Sequence, residues 1–241
     1  MTVESTKLIY DFVRKYNSQR SNTANKLKLS TVVSYINEAL EIWFENRANA
    51  FEVNTEIRNA LRNFEIKDKP LQPEQHTFDT FRVSIPEDLY RKTLLYVESE
   101  SDCCEGVVKT IQAKFIQSDD LFKARKSTYN SSSFKWERML CDEAGQHYYL
   151  YPEQGHKIRK VFLSYLKRPN YIQETDVCEG AEKFYEDYNE KLITKKVNLE
   201  VDNTFDHRKI TDIAVLIASR DNLEPAAYES QLKKILETKN L

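Results

Sequence analysis

Apolar residues recur at helical spacing through the first quarter of the chain. They predict a short first helix that Ser5 or Thr6 can cap, and the polar stretch 17–26 then interrupts the pattern. A second apolar stripe runs from Ser30 to Phe64 without glycine or proline, which predicts one long helix. A helix of this length cannot bury its stripe in a small core, so we expect it to pack in an antiparallel bundle or against other subunits.

The pattern changes after the long helix. The stretch KDKPLQPEQ, residues 67–75, has two prolines and no apolar periodicity, and predicts a domain boundary. Residues 77–85 alternate as a strand does, whereas Pro86 followed by acidic residues predicts a helix through residue 100. Strand-like alternation returns over residues 106–117.

The centre of the chain predicts a short helix followed by a β-hairpin. The helix is LFKARK, which Ser118, Asp119 and Asp120 can cap. After a polar loop, the strand-like stretches FKWERMLCD (134–142) and HYYLYPE (147–153) flank Ala144 and Gly145, which predicts the hairpin.

The stretch VFLSYLKRPNYI predicts an interior strand that stops abruptly. Apolar side chains fall on both faces of residues 157–168, so we expect partner strands on either side. Pro169 has no N–H to donate, so pairing must end beside Lys167 and Arg168.

The C-terminal part predicts mostly helix. Residues 174–190 are compatible with a helix, VNLEV predicts a strand, Asp206 can cap a helix, and Pro225 begins the last one. The predicted fold class is α+β: a helical bundle with one long helix, a sheet-rich insert and C-terminal helices. The predicted regions are 1–75 (helical), 76–172 (sheet-rich) and 173–241 (a strand and helices that pack back on the bundle).

Charge is unevenly distributed in a chain whose net charge is only −2. Residues 1–30 carry six basic and two acidic side chains, so this segment could bind an acidic surface. Residues 154–172 carry five basic side chains and no acid, whereas residues 173–190 carry seven acids against one lysine. Two interpretations stay open: solvated faces that neutralise each other within one molecule, or a head-to-tail interface between copies.

Catalytic motifs are missing from the sequence. None of the four glycines sits in a phosphate-binding pattern, and none of the four histidines has a second ligand at metal-binding spacing. Asp119 and Asp120 suit a helix cap better than the metal site of a nuclease. We therefore predict no catalytic residue, no metal and no cofactor, and we expect the many aromatic residues to serve core and interface packing.

Cysteine usage and apolar run length bear on the compartment in which the protein resides. The four cysteines lack zinc-site spacing and disulfide-scaffold density, so we expect them to be reduced and structural; redox activity of Cys103 and Cys104 is the alternative. No apolar run is long enough to span a membrane, and the N-terminus does not look like a secretory leader. We therefore expect a cytoplasmic origin and no membrane partner.

Two passages carry a resemblance to a known family. The strand end SYLKRPNYI and the segment DHRKITDIAVLIASRDN, in this order of elements, resemble the head-to-tail connector (adaptor or ring) proteins of tailed bacteriophages, especially structural proteins of the crAss-like phages. The resemblance implies a virion protein that assembles in the host cytoplasm. It implies a closed homo-oligomeric ring of twelve copies between the portal and the tail, through which DNA passes without chemistry or sequence-specific binding.

The resemblance also gives the basic strand end a role. Its cations would meet acids of a neighbouring subunit, or passing DNA, and tight DNA binding would not suit a channel wall. The predicted interface residues are Lys160, Lys167, Arg168, Glu182, Glu186 and Asp187. Two other classes remain as alternatives: a non-catalytic cytoplasmic scaffold or regulatory module, and a metal-dependent nuclease.

Overall fold

The computed structural model describes most of the chain as two compact units. The described residues are 4–19, 27–52, 54–101, 106–173, 198–201, 204–220 and 223–237. A helical unit comprises Met1–Asn63 with Pro169–Leu241, and a sheet unit comprises Phe64–Arg168. The sequence-based ranges instead divided the chain at residues 75/76 and 172/173.

Five α-helices of the described residues form the helical unit. They are α1 (Ser5–Gln19), α2 (Leu29–Asn49), α3 (Thr55–Ala60), α5 (Thr204–Ala218) and α6 (Pro225–Glu237). Helix α5 packs against α1, α2 and α6. The core of the unit includes Leu8, Phe12, Ile36, Leu40, Trp43, Ile210, Ile213, Ala214 and Ile217.

The prediction of one long helix was wrong, because α2 ends at Asn49. Phe51 is buried in the turn that follows, and the side chain of Asn54 accepts hydrogen bonds from the backbone N–H groups of Glu56 and Ile57 to cap the separate helix α3. The apolar pattern that predicted one helix therefore spans two separate helices joined by a turn. A short 3₁₀ turn, Arg62–Phe64, then leads into the sheet.

The sheet unit contains one mixed sheet of eight strands and the helix α4 (Ser118–Lys126). The strands are β1 (Glu65–Leu71), β2 (Glu74–Thr77), β3 (Thr80–Ser84), β4 (Leu89–Ser101), β5 (Val108–Phe115), β6 (Arg138–Ala144), β7 (His147–Tyr151) and β8 (His156–Lys167). Their order is β1-β8-β4-β5-β6-β7-β3-β2, and only the β5–β6 pair is parallel. One face carries the core, which includes Leu95, Val97, Ile111, Met139, Tyr148, Val161, Leu163 and Tyr165.

The predicted fold class is therefore corrected: the sheet is a principal element of the fold, and the structure is not a helical bundle with one long helix. The boundary predicted at 67–75 lies in β1 and β2. Pro70 is tolerated there because β1 is an edge strand, paired with β8 on one side only. The helix predicted after Pro86 is the strand β4, which pairs with β5 on one side and β8 on the other.

Other predictions were confirmed. Helices α1, α5 and α6, the strand β5, the hairpin β6–β7 and the interior strand β8 all lie where the sequence indicated. Gly145 adopts φ 59° in the hairpin turn, a conformation that glycine tolerates well. In VNLEV, the described residues 198–201 form only an isolated bridge at Leu199, not the predicted strand. The prediction for residues 174–190 lies outside the described residues.

Two buried tyrosines of the sheet core differ in how their hydroxyl groups are satisfied. Tyr165 donates to Asp88 (2.8 Å) and accepts from the Lys69 ammonium (3.0 Å). The hydroxyl of Tyr148 is buried and has no hydrogen-bond partner among the described residues. Burial raises the pKa of both tyrosines above the usual value.

A buried histidine lies between α1 and α5. The Nε2 atom of His207 is 3.8 Å from the Asp11 carboxylate and makes no hydrogen bond within the described part of the chain. Burial lowers the pKa of His207, and this effect outweighs the opposing attraction of Asp11.

Candidate interaction surface

A four-residue loop of the sheet unit exposes a tryptophan. The loop, residues 134–137, is closed by two backbone hydrogen bonds between Ser133 and Arg138, of 2.8 and 2.9 Å. Glu137 adopts φ 49° there, which few non-glycine residues do. Trp136 is 71% exposed at this loop, although tryptophan is usually a largely buried residue.

Side chains from β5, from β8 and from the connection between β7 and β8 hold the loop in place. The carboxylate of Glu153 accepts the N–H of Phe134 at 2.7 Å, and the Lys109 ammonium donates to the Phe134 carbonyl at 3.3 Å. The same ammonium lies 3.4 Å from the Glu137 carboxylate. The Phe134 ring stacks on His156 with 4.5 Å between centroids. The backbone that carries Trp136 is therefore fixed on both sides.

Helix α4 and the residues after it add two more exposed aromatic side chains. Phe122 is 66% exposed and Tyr129, just after the helix, is 84% exposed. A cleft of about 560 Å³ adjoins the helix and is lined in part by Lys114, Phe115, Lys123 and Asn130.

Helix α4 is anchored by a contact that the sequence did not reveal. The predicted cap is corrected: the N-cap residue is Gln117, which makes no side-chain capping bond, and the Ser118 hydroxyl instead donates to Asp142 of β6 (2.9 Å). Asp119 and Asp120 lie in the first turn, where acidic side chains favour the helix dipole. Asp120 also lies 3.6 Å from Lys123.

Lysines accompany the exposed aromatic rings. The Lys126 ammonium lies 4.0 Å from the centroid of Phe122, and the Lys135 ammonium lies 5.1 Å from that of Trp136. Such cation–π pairs hold the charges at the surface beside apolar area. Both pairs lie on α4 and on the segment that joins it to β6. We call Phe122, Lys126, Tyr129, Lys135 and Trp136, which this part of the chain exposes, the aromatic–lysine surface.

The structure separates the predicted interface residues. Lys160 lies within β8, 3.6 Å from the Glu98 carboxylate of β4, whereas Lys167 ends the strand. Seven residues of strand place these two lysines about 23 Å apart along β8. The Arg168 side chain is exposed, and the backbone N–H of this residue donates to the backbone carbonyl of Asp88 at 2.7 Å. Glu182, Glu186 and Asp187 lie outside the described residues.

The sequence does not reveal the aromatic–lysine surface, because the stretch FKWERMLCD predicts a hairpin strand that includes Trp136. The strand β6 in fact begins at Arg138. The charged residues Lys135 and Glu137 on either side of Trp136, and the serine-rich loop before it, are the signals that could have indicated an exposed position.

Metal-binding clusters, reactive thiols and membrane-spanning helices were sought among the described residues. No group of three or more His, Cys, Asp or Glu side chains among them could hold a metal ion. The Cys141 thiol is buried, and burial raises its pKa far above the usual value, which makes it a poor nucleophile. None of the helices in the described ranges has the length and apolar character required to cross a bilayer.

Comparison with known proteins identifies no family. The chain matches no protein-family model, and no curated protein matches its sequence. The resemblance to phage connector proteins therefore stays a prediction.

Proposed function

We propose that this protein is a structural component of a phage virion, which forms a homo-oligomeric ring in the connector between portal and tail and lets DNA pass without chemistry. The aromatic–lysine surface is the observation that carries the contact between subunits, and the phage setting rests on the sequence resemblance. Aromatic residues are enriched at protein–protein interfaces, and the backbone that carries Trp136 is already fixed. A rigid exposed aromatic anchor suits binding to another protein chain.

The basic end of β8 supplies a second contact for the ring. The strand is held by β1 on one side and β4 on the other, so Lys167 and Arg168 stand at the end of a rigid element. Such cations would pair with acids of a neighbouring subunit, which fixes the relative orientation of two copies. Tight binding to DNA would instead hinder its passage, because each phosphate contact adds salt-dependent affinity.

The proposal is tested by the mass of the purified full chain, measured by light scattering alone and after mixing with the portal protein of the same phage. A ring of many copies in either sample is the expected result. A chain that remains monomeric or dimeric in both samples would contradict the proposal and favour a scaffold or regulatory module. DNA cleavage with added magnesium or manganese would instead favour the nuclease.

A double variant tests the strand end. Lys167→Ala with Arg168→Ala should impair ring formation while the unfolding transition stays close to that of the parent protein. Arg14→Ala with Lys233→Ala is the matched control, because it removes the same charge from exposed positions of the helical unit. Unchanged ring formation in the first variant would show that the strand end is not an interface.

A further inference from the structure

We propose that the aromatic–lysine surface of one copy binds the acidic segment 174–190 of a neighbouring copy. This contact presupposes the proposed ring. It identifies the two parts of the chain that would meet between neighbouring subunits. The surface lies wholly within the sheet unit.

The surface is available and apolar. Phe122, Tyr129 and Trp136 are each exposed by more than 60% of their area, and they lie within 15 residues of one another in sequence. Contacts to Lys109 and Glu153 fix the loop that bears Trp136. Binding of a partner therefore does not incur the entropy loss of ordering that backbone, which is the usual advantage of a pre-organised site.

Lys126 and Lys135 give the surface two cations that an acidic partner could contact. Among the described residues, neither the Lys126 nor the Lys135 ammonium has a carboxylate within 4 Å; each lies over an aromatic ring instead. A second cation would be repelled from these positions. A carboxylate could accept hydrogen bonds from either ammonium while a neighbouring apolar group covers the exposed aromatic ring.

The chain itself contains a segment with the complementary chemistry. Residues 174–190 carry seven acids against Lys183, and they include Phe184, Tyr185 and Tyr188. The segment thus combines the acidic and aromatic side chains that the surface would accept. A closed ring requires two different surfaces on each copy, one that meets the preceding subunit and one that meets the next. The surface and the segment fulfil that requirement.

A synthetic peptide tests the chemistry of the contact independently of ring formation. The peptide spans residues 173–191 with Cys178→Ser and contains no tryptophan. The chain has only two tryptophans, and Trp43 is buried whereas Trp136 is exposed. Peptide binding should therefore shift the emission of Trp136 to shorter wavelength and protect it from acrylamide quenching, and Trp136→Phe should abolish both changes.

A neutralised peptide provides the control. In it, Glu182→Gln, Glu186→Gln and Asp187→Asn remove three charges without changing the length of the side chains. Affinity should fall about tenfold, which corresponds to a modest contribution from each exposed charge pair. Equal binding of the two peptides, or no protection of Trp136 by the acidic peptide, would overturn the inference.

Charge exchange in the full chain tests whether the partner is a neighbouring copy. Lys126→Glu with Lys135→Glu should prevent assembly, and so should Glu182→Lys with Glu186→Lys. A mixture of the two variants should assemble, because the reversed surface of one variant then meets the two positions made basic in the other, while the unaltered surface meets an unaltered acidic segment. Unimpaired assembly of the separate variants, or a mixture that stays unassembled, would overturn the contact between copies.

The two proposals fail in different ways. If the wild-type chain forms a ring but Trp136 stays unprotected by the peptide, this contact is wrong and the ring stands. If the peptide binds but no sample forms a multimer, the ring and the contact between copies are wrong, and the acidic segment is instead a ligand of its own chain.

Discussion

The buried ion pair of the helical unit gives the sharpest stability prediction. Asp206 lies in the first turn of α5 and is 1% exposed. Its carboxylate pairs with the Arg47 guanidinium of α2 and accepts the indole N–H of Trp43 at 3.2 Å. Asp206→Ala would therefore leave a largely buried guanidinium without its carboxylate and an indole N–H without its acceptor.

The expected loss is about 4 kcal/mol. Removing one partner of a buried pair costs about 3–5 kcal/mol, and this range includes most of the cost of the orphaned donors. With a slope of about 2 kcal/mol per molar urea, the unfolding midpoint should fall by about 2 M. Such a loss would be a large part of the whole stability of a typical domain, which is about 5–15 kcal/mol.

The assay uses Trp43 as a local reporter. In a Trp136→Phe background, Trp43 is the sole tryptophan, so urea unfolding followed by fluorescence reports on the helical unit. Asp212→Ala is the matched control: it lies on the same helix and loses a 2.6 Å contact to Lys15, but its side chain is 47% exposed. We expect a loss below about 1 kcal/mol for the control. Equal losses in the two variants would refute the argument that burial sets the value of the pair.

Three further predictions follow from single side chains. Tyr148→Phe should stabilise the sheet unit by about 1 kcal/mol, because it removes a buried hydroxyl that has no hydrogen-bond partner among the described residues. Tyr165→Phe should instead destabilise the unit by about 1–2 kcal/mol, because it removes a hydroxyl that donates to Asp88. Urea unfolding of both variants measures these changes, and the same sign for both would contradict the prediction. The pKa of His207 is lowered in the folded state, so its contribution to stability is present above the unfolded-state pKa of about 6.5 and is lost as the pH falls toward the folded-state pKa. Urea midpoints measured across this range should fall with decreasing pH in the parent protein and less steeply in His207→Gln, and equal slopes would contradict the assignment. Ser118→Ala should loosen α4 by about 1 kcal/mol through loss of its bond to β6, seen as faster amide hydrogen exchange in that helix alone.

The parts of the fold that sequence predicted well are those whose signals are local. The strand β8 has apolar residues on both faces, and the hairpin β6–β7 has its glycine at the turn. The failures came from contacts distant in sequence. Pro86 and the acids after it resemble a helix start, but pairing with β5 and β8 makes the following residues a strand, since tertiary contacts override weak local preference. The break between α2 and α3, by contrast, has a local signal, because Asn54 caps α3 with its own side chain.

The charge blocks show why the candidate surface could not be predicted from sequence. Five cations in residues 154–172 suggested one basic patch, yet Arg159 lies 2.7 Å from Glu100 and Lys160 lies 3.6 Å from Glu98, both across the β4–β8 pair. Two of the five cations are thus paired within their own unit with acids about sixty residues away. Lys126 and Lys135, which stood out in no charge block, lie over exposed aromatic rings. Adding up charges along the sequence therefore overestimates the positive charge that is available on β8. It also misses the aromatic–lysine surface, which offers an acidic partner both cations and apolar area.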